Sequence, residues 1–328
     1  MSDAQPLVIV AGVLVAEDGQ VLVTTRPEGR AMAGFQEFPG GKREAGEGRW
    51  ETLVRELGEE LGIRPLAGRP LIRLRHDYRD GPSVDLDFWQ LDSWEGDIRP
   101  LEGQRLIWRA PADLDPDALL PANRPVLTAL RLPPRYLVTP APAEDGQDCF
   151  LEALERSMAA QGAMMVQLRG RWLHQPWGVA LAQEAVARIH AQGHLVMING
   201  DIELTRQAGA DGVHFTAQQL RQGSAGALPG DLWVGASCHD AEELERAARL
   251  GADFATLGHV RTTPSHPGGN PLGWEPFAAL VHQAGLPVYG IGGLGEADLA
   301  ELRALGAQGY AAIRGLWAEG SPGGAAYR

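Results

Sequence analysis

The sequence contains only two cysteines, Cys149 and Cys238, among 328 residues. Two thiols are too few for a disulfide framework or for a zinc site built mainly from thiolates, so a reducing, cytoplasmic location is expected. No apolar run reaches the roughly 18 residues of a membrane span, and residues 1–11 have no basic segment ahead of a long apolar stretch. The sequence therefore predicts neither a membrane span nor an export signal.

Positive charge is also scarce, because 29 lysines and arginines stand against 42 aspartates and glutamates, which gives a formal net charge of -13. A chain with this charge is repelled by the phosphate backbone of a nucleic-acid polymer and by an anionic membrane surface. Neither is expected as a partner. A small polyphosphate is still compatible, because a few local cations and a divalent metal can outweigh the overall field.

The first 130 residues or so combine short β-type runs with one clear helix, a pattern typical of an α+β domain. Residues 6–16 are predicted to form a strand, with Val21–Thr25 as its hairpin partner across a Glu-Asp-Gly-Gln turn. The helix is predicted at Trp50–Leu61.

From Tyr136 onward, apolar runs alternate with amphipathic helical stretches. Eight such runs begin at Tyr136, Met164, Leu195, Gly212, Trp233, Phe254, Val288 and Tyr310. Eight buried strands alternating with helices predict a closed α/β barrel of the TIM, (β/α)8, type, with an open doubly wound sheet as the alternative. The prolines that follow Arg131 indicate the boundary, so we expect domains of residues 1–131 and 132–328.

A degenerate repeat supports the barrel. The segments Ala208-Gly-Ala-Asp, Leu250-Gly-Ala-Asp and Leu305-Gly-Ala-Gln each place a glycine just before a predicted strand. Each glycine is expected to end a helix.

The predicted helix carries the densest group of acidic residues. At about 100° per residue, its apolar side chains share one face, and Glu56, Glu59 and Glu60 share the adjacent arc. Carboxylates at these spacings repel one another by a few tenths of a kcal/mol per pair. Ligands that are all oxygen favour a hard ion such as Mg²⁺ or Mn²⁺, so the arc indicates a metal site. An ordinary solvated face is the alternative.

The residues around the helix complete the pattern G-x5-E-x7-R-E-U-x-E-E-x-G-U from Gly41 to Ile63, where U is a bulky aliphatic residue. Residues 6–130 thereby resemble the Nudix hydrolases, and most closely the MutT-type 8-oxo-dGTP diphosphatases. Further matching stretches are Thr25-Arg26, Glu37–Lys42, Trp94–Gly96, Glu102–Gln104 and Pro121–Pro125.

This resemblance implies an α+β Nudix fold and a Mg²⁺-dependent hydrolase that converts oxidised purine nucleoside triphosphates to the monophosphate and pyrophosphate. The role is sanitation of the nucleotide pool, which links it to DNA replication and repair. The implied metal ligands are the Gly40 carbonyl, Glu56, Glu59, Glu60 and Glu102. Arg55 would orient the glutamates, Glu47 would support the loop, and Glu59 or Glu102 would be the general base, so the catalytic candidates are Arg55, Glu59, Glu60 and Glu102.

The same resemblance implies that Arg26, Phe38 and Asn123 bind the nucleotide. An asparagine amide is both donor and acceptor, which suits the altered edge of 8-oxoguanine. Capping of a helix over Arg124–Leu130 is the alternative role for Asn123, and core packing is the alternative for Phe38.

The active site of a (β/α)8 barrel lies at the carboxyl ends of its strands, and phosphate commonly binds in the last two loops. Those loops contain Gly292, Gly293 and Arg314, which we predict to bind a phosphate group. Four histidines are expected at the same mouth: His214, His239, His259 and His266. A metal site formed by them is a further hypothesis.

Residues 136–317 resemble the thiamine phosphate synthase and TenI superfamily, for example in Gly209–His214, Gly235–His239 and Gly290–Gly293. Synthases carry acidic residues for Mg²⁺-pyrophosphate where this chain has Gly200 and Gln219, and a lysine where it has His266. The resemblance therefore implies a barrel without synthase activity. Gly258-His259-Val260 matches the TenI thiazole tautomerases, which implies an acid/base role for His259 and a thiazole phosphate-type ligand.

Two alternatives are open. In one, the Nudix half hydrolyses pyrophosphates of the thiamine pathway and is coupled to the barrel. In the other, the barrel is a non-catalytic sensor that regulates the hydrolase. No oligomeric state is predicted.

Overall fold

The computed structural model describes residues 7–29, 32–77, 83–160, 162, 164–222, 229–263 and 270–318. The chain divides into two compact units. The first comprises Met1–Arg131, Val281–Pro287 and Arg303–Ala307, and the second comprises Leu132–Leu280, Val288–Leu302 and Gln308–Arg328. No helix in these ranges is both long and apolar enough to cross a membrane.

The N-terminal unit is a mixed α+β structure, as predicted. Its elements are β1 (Leu7–Leu14), β2 (Val21–Thr25), β3 (Gln36–Glu37), β4 (Gly40–Lys42), α1 (Arg49–Leu61), β5 (Arg64–Asp77), β6 (Ser83–Glu95), β7 (Leu106–Arg109) and α2 (Arg124–Arg131). One sheet has the order β4-β1-β6-β5, and a second has the order β3-β2-β7. β1 runs parallel to β6 and antiparallel to β4.

The predicted hairpin of the first two strands is wrong, although both strands form. β1 is paired on both edges by β4 and β6, and β2 lies in the other sheet. The two strands meet at the turn between them, where an isolated antiparallel bridge joins Val15 to Val21 and the Ala16 N–H donates to the Gln20 carbonyl at 2.8 Å. Every residue of β1 is apolar or glycine, so its sequence lacks the alternation that would indicate which face and which partner it uses.

Helix α1 begins at Arg49, one residue before the prediction, and its ends have ordinary helix chemistry. The Gly48 N–H donates to the Glu51 side chain at 2.7 Å, and Gly62 ends the helix with a left-handed φ of 71°. Leu53, Leu57 and Leu61 of the apolar face are buried in one core cluster. With that face buried, the glutamate arc faces β4.

The second unit is a closed, all-parallel eight-stranded barrel, which confirms the barrel and excludes the open sheet. Its elements are β8 (Arg135–Val138), α3 (Gln147–Ala159), β9 (Met165–Leu168), α4 (Gly178–Ala191), β10 (Leu195–Asn199), α5 (Ile202–Ala208), β11 (Gly212–Phe215), α6 (Ala217–Arg221), β12 (Trp233–Cys238), α7 (Ala241–Leu250), β13 (Phe254–Gly258), α8 (Trp274–Gln283), β14 (Val288–Ile291), α9 (Leu299–Ala304) and β15 (Gly309–Ala312). β15 pairs with β8 and closes the ring.

The three repeated joints share one geometry. Their glycines, Gly209, Gly251 and Gly306, all have φ between 73° and 87°. In the first two joints, the carboxylate that follows accepts a backbone N–H of the neighbouring strand, since Asp211 binds Val196 and Asp253 binds Val234, each at 2.7 Å. The repeat therefore positions adjacent strands as well as ending helices.

Three aromatic rings fill the barrel interior. Tyr136, Phe254 and Tyr289 are fully buried, and each ring centroid lies 5.6 Å from the other two. The barrel is thus packed through its centre, with side chains from three different strands.

Candidate active sites

The glutamates of α1 meet the backbone of β4 at two glycines. The Gly40 N–H donates to Oε2 of Glu60 at 2.9 Å. A Cβ on Gly41 would lie 2.2 Å from the Glu56 carboxylate, and a Cβ on Gly40 would lie 2.3 Å from the Val10 carbonyl oxygen. The glycines therefore allow the carboxylates to lie directly against the strand.

Arg55 connects the glutamates that surround it. Its Nε donates to Glu47 at 2.7 Å, and its Nη1 donates to both Glu56 at 2.9 Å and Glu59 at 3.2 Å. Hydrogen bonds from Arg55 lower the pKa of Glu47 to about 2. The guanidinium is thus placed to fix the rotamers of three carboxylates.

Glu60 is the most buried member of the group. Its pKa is raised to about 8, chiefly by burial and also by the negative charges of Glu102, Glu37 and Glu56, while the Gly40 hydrogen bond opposes this rise. Burial likewise raises the pKa of Glu56. A nearby cation would oppose both effects, because it favours the ionised carboxylates.

The donor set fits a hard divalent ion in chemistry and charge, since it consists of carboxylate oxygens and the Gly40 carbonyl. Over the described ranges, however, no three acidic, histidine or cysteine side chains converge as a complete ligand set. The carboxylates instead pair with Arg55 and Gly40.

Gln104, to which the sequence analysis assigned no role, links the Glu102 loop to α1. Its side chain accepts a hydrogen bond from the Glu102 N–H and donates one to the Glu60 carbonyl, each at 2.9 Å.

The nucleotide-binding candidates are joined by the segment Glu37–Gly41. Arg26 pairs with Glu37 at 2.5 Å, and the Phe38 N–H donates to Oδ1 of Asn123 at 3.0 Å. The Asn123 side-chain oxygen therefore binds Phe38 and is not used to cap α2. The Phe38 residue is 3% exposed and its ring packs edge-on against Phe88, as the core-packing alternative predicts, while stacking on a base is still a prediction.

In the barrel, a cavity of about 840 Å³ opens at the carboxyl ends of the strands. Six sequence-predicted residues line it: His214, His239, His259, Gly292, Gly293 and Arg314. His266 lies outside the described residues. Gln167, Arg169, Asn199 and Ser237, which the sequence did not single out, line the same cavity.

His214 forms the centre of a buried polar chain. Its Nδ1 lies 3.0 Å from the Tyr136 hydroxyl and its Nε2 lies 3.0 Å from Oγ of Ser237. Burial, followed by the charge of Arg169, lowers the pKa of His214 to about 3. The ring is therefore neutral at physiological pH. Among the described residues, which exclude His266, no three histidine, cysteine or acidic side chains lie close enough together to hold a metal ion.

Gly292 is needed for close packing beside His259. It has φ of 100°, and a Cβ there would lie 2.4 Å from the His259 Cβ. The Gly292 carbonyl also accepts the Arg261 N–H at 3.0 Å. This glycine thus lets the loop that carries His259 lie against β14.

Gly200 and Gln219, where the resemblance led us to expect acidic residues in a synthase, are bonded to each other. Nε2 of Gln219 donates to the Gly200 carbonyl at 2.7 Å, and Oε1 of Gln219 accepts the Thr216 N–H at 3.0 Å. Neither group carries charge, and the glutamine amide is held at both ends.

Comparison with known proteins agrees with both halves. Residues 135–316 match the family model "Thiamine monophosphate synthase" (TMP-TENI), and residues 6–130 match the NUDIX domain. The 8-oxo-dGTP diphosphatase of Escherichia coli is 37% identical over 125 residues, which are 38% of this chain and 96% of that protein. The thiamine-phosphate synthase of Chlorobium phaeobacteroides is 35% identical over 185 residues, which are 54% of this chain and 85% of that protein.

A third relative aligns with a longer part of the chain. The thiamine biosynthesis bifunctional protein ThiM/ThiE of Symbiobacterium thermophilum is 33% identical over 261 residues, or 76% of this chain. The chain spans about half of that relative, 52% of its length. With the TMP-TENI match covering more than half of its residues, the chain belongs to the thiamine monophosphate synthase family and carries a NUDIX domain at its N-terminus.

Proposed function

We propose that the N-terminal unit hydrolyses oxidised purine nucleoside triphosphates such as 8-oxo-dGTP to the monophosphate and pyrophosphate. The observation that carries this proposal is the segment Glu37–Gly41. Its Phe38 N–H binds Asn123, and two residues later its Gly40 N–H binds Glu60. One short segment therefore links the amide suited to a purine edge with the carboxylates suited to a metal-bound polyphosphate.

The residues that would hold the metal, Mg²⁺ or Mn²⁺, are Glu56, Glu59, Glu60, Glu102 and the carbonyl of Gly40. When bound, such an ion neutralises phosphate charge and lowers the pKa of coordinated water. The chain's own contribution is the placement of the carboxylates, which Arg55 and the β4 backbone fix.

In the hydrolysis, a water oxygen attacks the β-phosphorus, and the bond from that phosphorus to the α,β-bridging oxygen breaks. The monophosphate leaves with the bridging oxygen, and pyrophosphate carries the new one. Glu59 or Glu102 accepts the proton of the water. Glu59 suits this role because its side chain is 57% exposed while Arg55 holds one of its oxygens.

The test is a steady-state comparison of 8-oxo-dGTP, dGTP and thiamine pyrophosphate with Mg²⁺, using the full chain. A preference for 8-oxo-dGTP is expected. A preference for thiamine pyrophosphate over both nucleotides would overturn the proposal in favour of a hydrolase for thiamine-pathway pyrophosphates.

For the barrel, we propose a TenI-like module that binds a thiazole phosphate-type ligand and shifts a proton, with His259 as acid/base and without synthase activity. Arg314 and the loop of Gly292 and Gly293 are the phosphate-binding candidates. The neutral pair of Gly200 and Gln219 supports the absence of a Mg²⁺-pyrophosphate site, because neither offers a carboxylate.

Two assays test the barrel. Incubation of the full chain with a thiazole phosphate tautomer should give isomerisation that a His259→Asn variant loses, and incubation with the pyrimidine pyrophosphate and thiazole phosphate of a synthase should give no product. If the ligand is not isomerised but changes the kinetics of nucleotide hydrolysis, the sensor alternative replaces the tautomerase.

A further inference from the structure

A second histidine of the barrel cavity has a buried carboxylate beside it. The His239 side chain lines the cavity and is 60% exposed, whereas the Glu243 side chain is 7% exposed. Oε2 of Glu243 accepts the His239 backbone N–H at 2.8 Å and lies 2.9 Å from Nδ1 of the same residue. The other oxygen of Glu243 pairs with Arg221.

Part of this arrangement is ordinary helix chemistry. Glu243 is the third residue of α7, and Asp240 caps that helix by accepting the Glu243 N–H at 2.9 Å. A glutamate at this position commonly reaches back to a backbone N–H ahead of the helix. That role needs neither the contact to the imidazole ring nor the pair with Arg221, so both contacts call for a separate explanation.

The contacts determine where His239 carries its proton. Glu243 forms an ion pair with the Arg221 guanidinium as a carboxylate, and a carboxylate can only accept hydrogen bonds. Nδ1 of His239 must therefore be the donor. In a neutral imidazole with its proton on Nδ1, Nε2 is unprotonated and able to accept a proton.

We propose that His239 is a second acid/base residue of the barrel cavity, held by Glu243 and Arg221 in the tautomer that leaves Nε2 as a proton acceptor. This inference rests on the proton-shift function proposed above. A C–H bond of the ligand breaks, its proton passes to Nε2 of His239, and the electron pair stays in the heterocycle. His259 gives a proton to another carbon, so the ligand keeps its composition, and both histidines are reset by proton exchange with water.

Kinetics of the full chain with the thiazole phosphate tautomer test the catalytic part. In a His239→Asn variant, the asparagine amide retains an N–H for Glu243 but has no proton acceptor equivalent to Nε2. We expect kcat to fall by about 100-fold or more with KM nearly unchanged. The matched control is His190→Asn: His190 also pairs with a carboxylate, Asp211 at 2.9 Å, but does not line the cavity, so kcat should be unchanged. Wild-type kcat in His239→Asn would overturn the inference.

Nitrogen-15 NMR of the histidine rings in the full chain tests the positioning part without catalysis. Neutral His239 should show a protonated Nδ1 in the wild type and a mixture of tautomers in Glu243→Gln, where a neutral amide replaces the carboxylate. A wild-type ring protonated on Nε2 would refute the inference even if the barrel is active. If Nδ1 is protonated but the thiazole phosphate is not isomerised, the proposed tautomerase fails while the positioned acceptor stands.

Discussion

The backbone N–H of Phe38 donates to the side-chain oxygen of Asn123 at 3.0 Å, across 85 positions of sequence. Both groups are buried, and the contact fixes the orientation of the Asn123 amide relative to the segment that leads to Gly40. The hydrogen bond occupies the side-chain oxygen of Asn123 and does not involve its amide nitrogen. This nitrogen is therefore the group that we expect to read a bound base.

Substitution of Asn123 tests that expectation. Asn123→Asp keeps an acceptor for Phe38 but loses the NH₂ donor, so the ratio of kcat/KM for 8-oxo-dGTP to that for dGTP should fall about tenfold or more. Asn123→Ala should also lower the free energy of unfolding by about 1–3 kcal/mol, because the buried Phe38 N–H loses its partner. An unchanged ratio in Asn123→Asp would contradict base reading by the amide.

Removal of the charge of Glu60 tests the metal site. Glu60→Gln retains an acceptor for the Gly40 N–H but cannot ionise, so we expect a loss of about 100-fold or more in kcat/KM for hydrolysis. Mg²⁺ should raise the Tm of the wild type through ligand linkage, and this increase should shrink in the variant. Glu95→Gln is the matched control, since the Glu95 side chain is 64% exposed and pairs only loosely with Arg64 at 3.6 Å. An equal Mg²⁺ response in all three proteins would count against the site.

The two glycines of β4 should respond differently to substitution by alanine. Gly40→Ala would put a Cβ against the Val10 carbonyl at a φ of 147°, so the free energy of unfolding should fall by about 3 kcal/mol or more. Gly41→Ala meets only the carboxyl end of the Glu56 side chain, which can rotate away if it gives up its hydrogen bond to Arg55. Denaturation should therefore show a near-native fold for Gly41→Ala, and hydrolysis assays should show a large loss. A fully active Gly41→Ala protein would mean that the position of Glu56 is unimportant.

The burial of His214 predicts an acid-sensitive barrel. Its pKa of about 3 lies below the usual 6.5 of an unfolded chain, so the unfolded state binds the proton more tightly. Above pH 6.5, the contribution of neutral His214 to the free energy of unfolding is complete. This contribution decreases as the pH falls toward 3, where the loss amounts to about 4 kcal/mol. Denaturant titrations from pH 7 to 4 should give a smaller pH slope in His214→Gln than in the wild type. Equal slopes would show that His214 is not the group responsible.

The sequence was most informative where the signal is local. The apolar arc predicted α1 to within one residue, and each of the eight apolar runs overlaps a barrel strand. The candidates Glu56, Glu59 and Glu60 were found because helical spacing places them on one arc, and Arg55 was found through the resemblance to the Nudix hydrolases. Their metal-binding and catalytic roles are still predictions.

Contacts between distant segments were not predicted. β3 and β4 have only two and three residues and form through pairing with remote strands, and the hairpin of β1 with β2 was wrong for the same reason. Likewise, Tyr136 is 78 residues from His214, and no local pattern relates them. Glu243 was overlooked although it is only four residues from His239, because a glutamate in the first turn of a helix is common.

The aromatic rings of Tyr136, Phe254 and Tyr289 have a consequence for how the barrel works. Because these rings fill the centre of the barrel, the cavity is closed at its inner end. In the proposed isomerisation, the product must therefore leave through the opening at the carboxyl ends of the strands, by which the substrate also enters, so product release and substrate binding compete for the same opening.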